Sequence, residues 1–106
     1  KFPFAGSLSN YLRQVKSEVS FSRAAEVFGT LVVNDNMRSY RSSLGRMLAQ
    51  VGEDQKKKLK SEQKDEAENG KKQLEMVKRV LERVIAAETD EENRKDLKES
   101  LKDLQD

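Results

Sequence analysis

Apolar residues recur every three or four positions along most of the chain, with polar residues between them. That is the period of amphipathic α-helices, not the strict alternation of a half-buried strand. Ser7 reads as a helix N-cap, because its hydroxyl can accept from a free amide of the first turn. Leu8, Tyr11, Leu12, Val15 and Val19 then form one stripe, led by an arm of residues 1–6 that contains Phe2, Pro3 and Phe4. Ser20 or Ser22 reads as the cap of a second helix through Ala24, Ala25, Val27, Phe28, Leu31, Val32 and Val33. This is the most apolar stretch, covering more than half the helical wheel, as a buried helix would. Its β-branched end, Thr30–Val33, also fits a strand, but a single strand here has nothing to pair with.

Asn34-Asp35-Asn36 is a turn signal, since these side chains bond to their own backbone. A third helix follows on Met37, Tyr40, Leu44, Met47, Leu48 and Val51, with Gly52 in the place of a C-cap. The short turn makes it the antiparallel neighbour of the second helix. Residues 53–73 change character, since Leu59 and Ala67 are their only apolar side chains. The stretch is either a flexible linker, too polar to offset its ordering entropy, or a solvated helical extension held by Lys/Glu pairs. Helix propensity favours the extension.

Leu74, Val77, Leu81 and Val84 alternate three and four apart, with Val80 and Ile85 beside them. The heptad spacing covers about two repeats, short of the three to four that identify a coiled coil. Thr89 through Glu92 reads as a capping box, with the threonine as the cap. Leu97, Leu101 and Leu104 form one narrow stripe on the last helix. Three leucines do not hold a helix alone, so it must dock on the bundle, on a twin chain or on a partner. The expected fold is all-α: an antiparallel bundle of four to five helices in one domain spanning residues 1–106. Within it, residues 7–52 are the hydrophobic helices, 53–73 a charged linker or a projecting, coiled-coil-like extension, and 74–106 the C-terminal helices.

Composition narrows the chemistry. The chain has 106 residues, 38% of them charged, and no cysteine, histidine or tryptophan. Disulfides, thiol nucleophiles, zinc sites built on Cys or His, and imidazole acid–base catalysis are therefore excluded. No glycine-rich phosphate loop occurs, and neither acidic cluster, Asp65/Glu66/Glu68 or Asp90/Glu91/Glu92, follows the calcium-loop pattern. Glu26 is the best-placed carboxylate for a raised pKa, yet a solvated or ion-paired helix residue is the simpler reading. We therefore expect a non-enzyme without cofactor or metal.

Charge is uneven. Residues 1–52 hold seven Lys/Arg against three Asp/Glu, a net of +4, whereas residues 53–106 hold fourteen against sixteen, a net of −2. The basic front half suits acidic partners. Arg38-Ser39-Tyr40-Arg41-Ser42-Ser43, with Arg46 beyond, places guanidinium groups and hydroxyls close together, and the serines are also sites where phosphorylation would reverse the charge. The front segment to Arg23 resembles an interfacial helix in its bulky apolar stripe and its cations.

Three functional expectations follow. First is a non-enzymatic interaction or scaffolding module, binding another protein or a second copy through Leu74, Val77, Leu81, Val84, Leu97, Leu101 and Leu104. Small domains bury only part of their surface, so narrow stripes are expected to be left over for contacts. Second is a membrane-surface module holding anionic lipid through Arg13, Lys16, Arg23, Arg38, Arg41 and Arg46. Third is weak nucleic-acid binding, for which the basic excess is thin. A chain that starts at Lys1 is expected to be a processed product or a piece of a longer protein. With no run of about 20 apolar residues, an intracellular, cytoplasmic location is expected, peripheral to a membrane if lipid is the partner.

Overall fold

The structure is a computed structural model that describes residues 18–105. Those residues form an all-helical bundle: α1 (Glu18–Val32), a 3-10 turn (Asp35–Met37), α2 (Arg41–Lys58), α3 (Lys64–Ala87) and α4 (Glu91–Gln105). The N-terminal arm, the cap expected at Ser7, the stripe from Leu8 to Val15, and the cations Arg13 and Lys16 lie outside the described residues.

Successive helices alternate in direction. Along α2 and α3, Gly52 lies against Val77 and Gly45 against Val84, so these two helices are antiparallel. Leu97 and Leu104 meet Gly45 and Gly52 in the same order, so α4 runs parallel to α2. The carboxyl ends of α1 and α3 come together at Arg41. α3 is the central element and packs against each of the other three. Phe21, Ala25, Phe28 and Val32 of α1 and Leu44, Leu48 and Val51 of α2 join Val77, Val80, Leu81 and Val84 of α3 in one core. The 3-10 turn adds Met37, and α4 adds Leu97 and Leu104.

Several boundaries differ from the sequence expectation, each for a physical reason. Ser20 and Ser22 lie inside α1 and not ahead of it, because the buried spacing Phe21, Ala25, Phe28 runs through them without a break. The Asn34 turn is as expected, with Asn34 Oδ1 accepting from Asn36 N at 2.9 Å. Met37 belongs to that turn and not to α2. α2 does run opposite to α1, but the two scarcely touch, since both lay their apolar faces on α3.

Gly52 does not end α2, which continues to Lys58. No glycine among the described residues has positive φ. Gly52 is there for close approach, as described below. Three lysines in the last turn, Lys56, Lys57 and Lys58, oppose the negative end of the helix dipole.

The charged stretch 53–73 is neither a linker nor one helix. It finishes α2, turns at residues 59–63 and starts α3. What anchors it is not apolar side chains but Gln55, Gly70 and Gln73, all buried where α2 meets α3. A Cβ on Gly70 would lie 2.8 Å from Lys58 Cβ and 3.0 Å from Gln55 O, so the backbones approach closely there.

The cap of α4 is Asp90, one residue later than expected. Its Oδ1 accepts from Asn93 N at 3.0 Å, while Thr89 stays in the connection. Glu88 fixes that connection from the other side, accepting from Asp90 N through Oε2 at 3.0 Å.

Candidate functional site: a helix-receiving groove

Gly45 and Gly52 are seven residues apart on α2, so they lie two turns apart on the same face. Leu97 and Leu104 have the same spacing on α4. The two pairs interlock. A Cβ at Gly45 would lie 2.7 Å from Leu97 Cδ2, and one at Gly52 would lie 2.7 Å from Leu104 Cδ1. Val84 Cγ1, 3.5 Å from the first of these positions, and Val77 Cγ1, 3.0 Å from the second, form the opposite wall. The groove between α2 and α3 therefore has two notches, and α4 fills each with a leucine.

Leu101 lies between them, partly buried against the core. Two polar contacts flank the seat: Arg46 Nη2 to Asp96 Oδ2 at 3.0 Å, and Lys56 Nζ donating to Asp103 O at 2.6 Å. Both are exposed. Burying a leucine is worth about 1.5–3 kcal/mol, against about 0–1 kcal/mol for an exposed ion pair. The leucines in their two notches hold α4 and fix its register, and the polar contacts lie at the rim.

The seven residues expected to face a partner all lie in this assembly. Leu74, Val77, Leu81, Val84, Leu97 and Leu104 are buried and Leu101 is partly so. The stripes are not left over; they cover one another within a single chain. From the sequence alone Gly52 resembles a helix stop and Gly45 has no evident role, so the groove that receives the last helix is not visible there. Large apolar side chains exposed among the described residues are Val27, Tyr40 and Leu59, on three separate segments. Scattered singly, they make no large apolar patch.

Among the described residues, the cations expected to bind anions have different surroundings. Arg41, expected among them, is 2% exposed. Its Nε donates to Val32 O at 2.9 Å, Nη1 to Ala87 O at 2.9 Å, and Nη2 to Asn34 O at 3.1 Å and Val33 O at 3.3 Å. It closes the carboxyl ends of α1 and α3, where unpaired carbonyls leave partial negative charge. Its guanidinium is therefore buried against backbone carbonyls and not presented to solvent. Arg46 is engaged by Asp96. Arg23 and Arg38 are exposed, on α1 and on the turn before α2.

Glu26, with 57% of its side chain exposed, sits 3.6 Å from Arg83 Nη1 in a surface ion pair. No group of three or more potential metal ligands occurs among the described residues. A surface cleft of 630 Å³ beside Ser22 and α3 is lined by Glu68, Lys71, Lys72, Glu75, Met76 and Arg79. Both charge signs line it. No helix among the described residues is long and apolar enough to cross a membrane.

Sequence reasoning missed Gly45, Gly52, Glu88 and Arg94. The available signal was the shared seven-residue spacing of the glycines and the leucines. Glu88 and Arg94 gave no comparable signal, since Glu88 is a buried carboxylate among exposed acids and Arg94 serves by donating to Glu88 O. No protein-family model matches the chain, and neither the curated proteins nor the solved structures include a match to it.

Proposed function

We propose that the chain is a non-enzymatic helical interaction or scaffolding module that works through the groove between α2 and α3. The observation that carries this reading is the fit of Leu97 and Leu104 to the notches at Gly45 and Gly52. Helix-in-groove recognition uses apolar anchors at i, i+4 and i+7, which is the spacing of Leu97, Leu101 and Leu104. Beyond those leucines α4 is almost wholly polar, so its face away from the groove has little to bury. The partner that suits the groove is an amphipathic helix with leucines at that spacing and an acidic residue before the first, to meet Arg46. α4 is the resident occupant, and a partner gains access when it leaves.

A fluorescein-labelled peptide of residues 88–106, titrated with the full chain, tests this by anisotropy. The resident helix competes at high effective concentration, so a chain carrying Asp96→Arg, which sets its own α4 against Arg46, is titrated in parallel. A saturable rise is expected, at lower protein concentration for Asp96→Arg than for the parent. A peptide carrying Leu97→Asp and Leu104→Asp should give none. No rise with either chain overturns the reading.

A further inference from the structure

The bend between α3 and α4 contains no residue that requires a bend. Residues 86–94 read Ala-Ala-Glu-Thr-Asp-Glu-Glu-Asn-Arg, without glycine or proline. Glu88 sits at φ −70° and ψ 128°, outside the helical region, with nothing in its side chain that forbids helix. The bend is held by side chains reaching back to it. Arg41 Nη1 donates to Ala87 O, and Arg94 Nε and Nη2 donate to Glu88 O at 3.2 and 2.6 Å. These are carbonyls that backbone amides would satisfy if the helix ran on.

The bent form also carries an unmet cost. Glu88 is 2% exposed, and although its Oε2 accepts from Asp90 N, its Oε1 has no hydrogen-bond partner. A buried acceptor without a partner favours any conformation that returns it to water. One conformation that would do so has residues 88–90 helical, α3 and α4 fused into one helix from Lys64 to Gln105, and α4 out of its groove.

We propose that this is the route to a dimer in which two chains exchange α4, each helix filling the groove of the other copy. The second copy is the occupant because its α4 carries the same Leu97, Leu101, Leu104 and Asp96 that the groove already fits. Groove contacts are then identical in the monomer and the dimer, so the balance between them is set by the hinge and by concentration. The inference rests on the groove reading and adds the identity of the partner.

The test is light scattering after gel filtration of the full chain, across a concentration series equilibrated warm, for the parent, Thr89→Pro and Arg94→Ala. Proline at 89 suits the bent form, since Glu88 already has the extended backbone that precedes proline, and it blocks a continuous helix. Arg94→Ala removes donors used in the bent form alone. The parent should show a dimer that grows with concentration, Thr89→Pro should be monomeric throughout, and Arg94→Ala should shift the midpoint at least several-fold toward dimer. A parent and Arg94→Ala that both stay monomeric at millimolar concentration overturn the exchange. So does a Thr89→Pro chain that dimerises like the parent, since its contact must lie elsewhere. Far-UV circular dichroism confirms that each variant is folded. Peptide binding by a chain that never dimerises would leave the groove reading standing and sink the exchange.

Discussion

Leu104 occupies the space where any residue other than glycine at position 52 would put its side chain. A Cβ there would lie 2.7 Å from Leu104 Cδ1, 2.9 Å from Cδ2 and 3.0 Å from Val77 Cγ1. Gly52→Ala therefore sets two effects against each other. Alanine gains about 1 kcal/mol of helix propensity, whereas forcing a methyl into a filled core costs about 1–3 kcal/mol. The cost should win by about 1 kcal/mol, because Val77 leaves Leu104 little room to retreat. In a Leu104→Ala background the two shortest contacts are gone and only the 3.0 Å approach to Val77 Cγ1 remains, so the same substitution should stabilise by up to about 1 kcal/mol. Urea unfolding of the four chains of this double-mutant cycle measures the reversal of sign.

Arg41 should matter far more to stability than the other arginines expected to bind anions. Removing it leaves carbonyls at two helix ends without their donor, each costing about 1–3 kcal/mol if it stays buried. Arg41→Ala is expected to cost about 3 kcal/mol or more in urea unfolding, and Arg41→Lys to recover only part, because an ammonium cannot span the fork. Arg46→Ala, which loses an exposed pair, should stay within about 1 kcal/mol of the parent. Equal effects would contradict the structure.

Gln55 is fully buried, and neither atom of its amide has a partner. Leucine in its place removes that desolvation cost at similar volume. Gln55→Leu is expected to raise stability by about 1–3 kcal/mol, read as a higher urea midpoint with unchanged slope. A lower midpoint would mean that the amide is hydrogen-bonded in solution.

At the start of α4, Asp90 and Thr89 compete for the role of cap. Asp90→Ala should cost about 1 kcal/mol, the usual loss of an N-cap, and Thr89→Ala should be close to neutral. Thermal unfolding of the two variants decides between the structure and the capping box read from sequence.

The helical period was legible because each helix buries a face, and the turn at Asn34 was legible because its side chain acts locally. What the sequence hid depends on distant residues. Gly52 resembles a helix stop until Leu104, far along the chain, is seen to need its space. Arg41 resembles a surface cation until Val32 and Ala87, the latter 46 residues away, present their carbonyls to it. Gln55 and Gln73 count as polar in any composition window, so the stretch that holds them read as solvated although both are buried. The leucines of α3 and α4 were found, but without the notches in α2 they had to be assigned to a surface.

On the proposed reading, α4 is a removable occupant of a groove formed by a bundle that remains folded without it. Native-state hydrogen exchange of the full chain, followed residue by residue at low denaturant, tests this most directly. The amides of α4 should exchange through an opening clearly lower in free energy than those of Leu48, Val51, Val77 and Leu81. Exchange of α4 only through global unfolding, with the same free energy and denaturant dependence as α2 and α3, would contradict it.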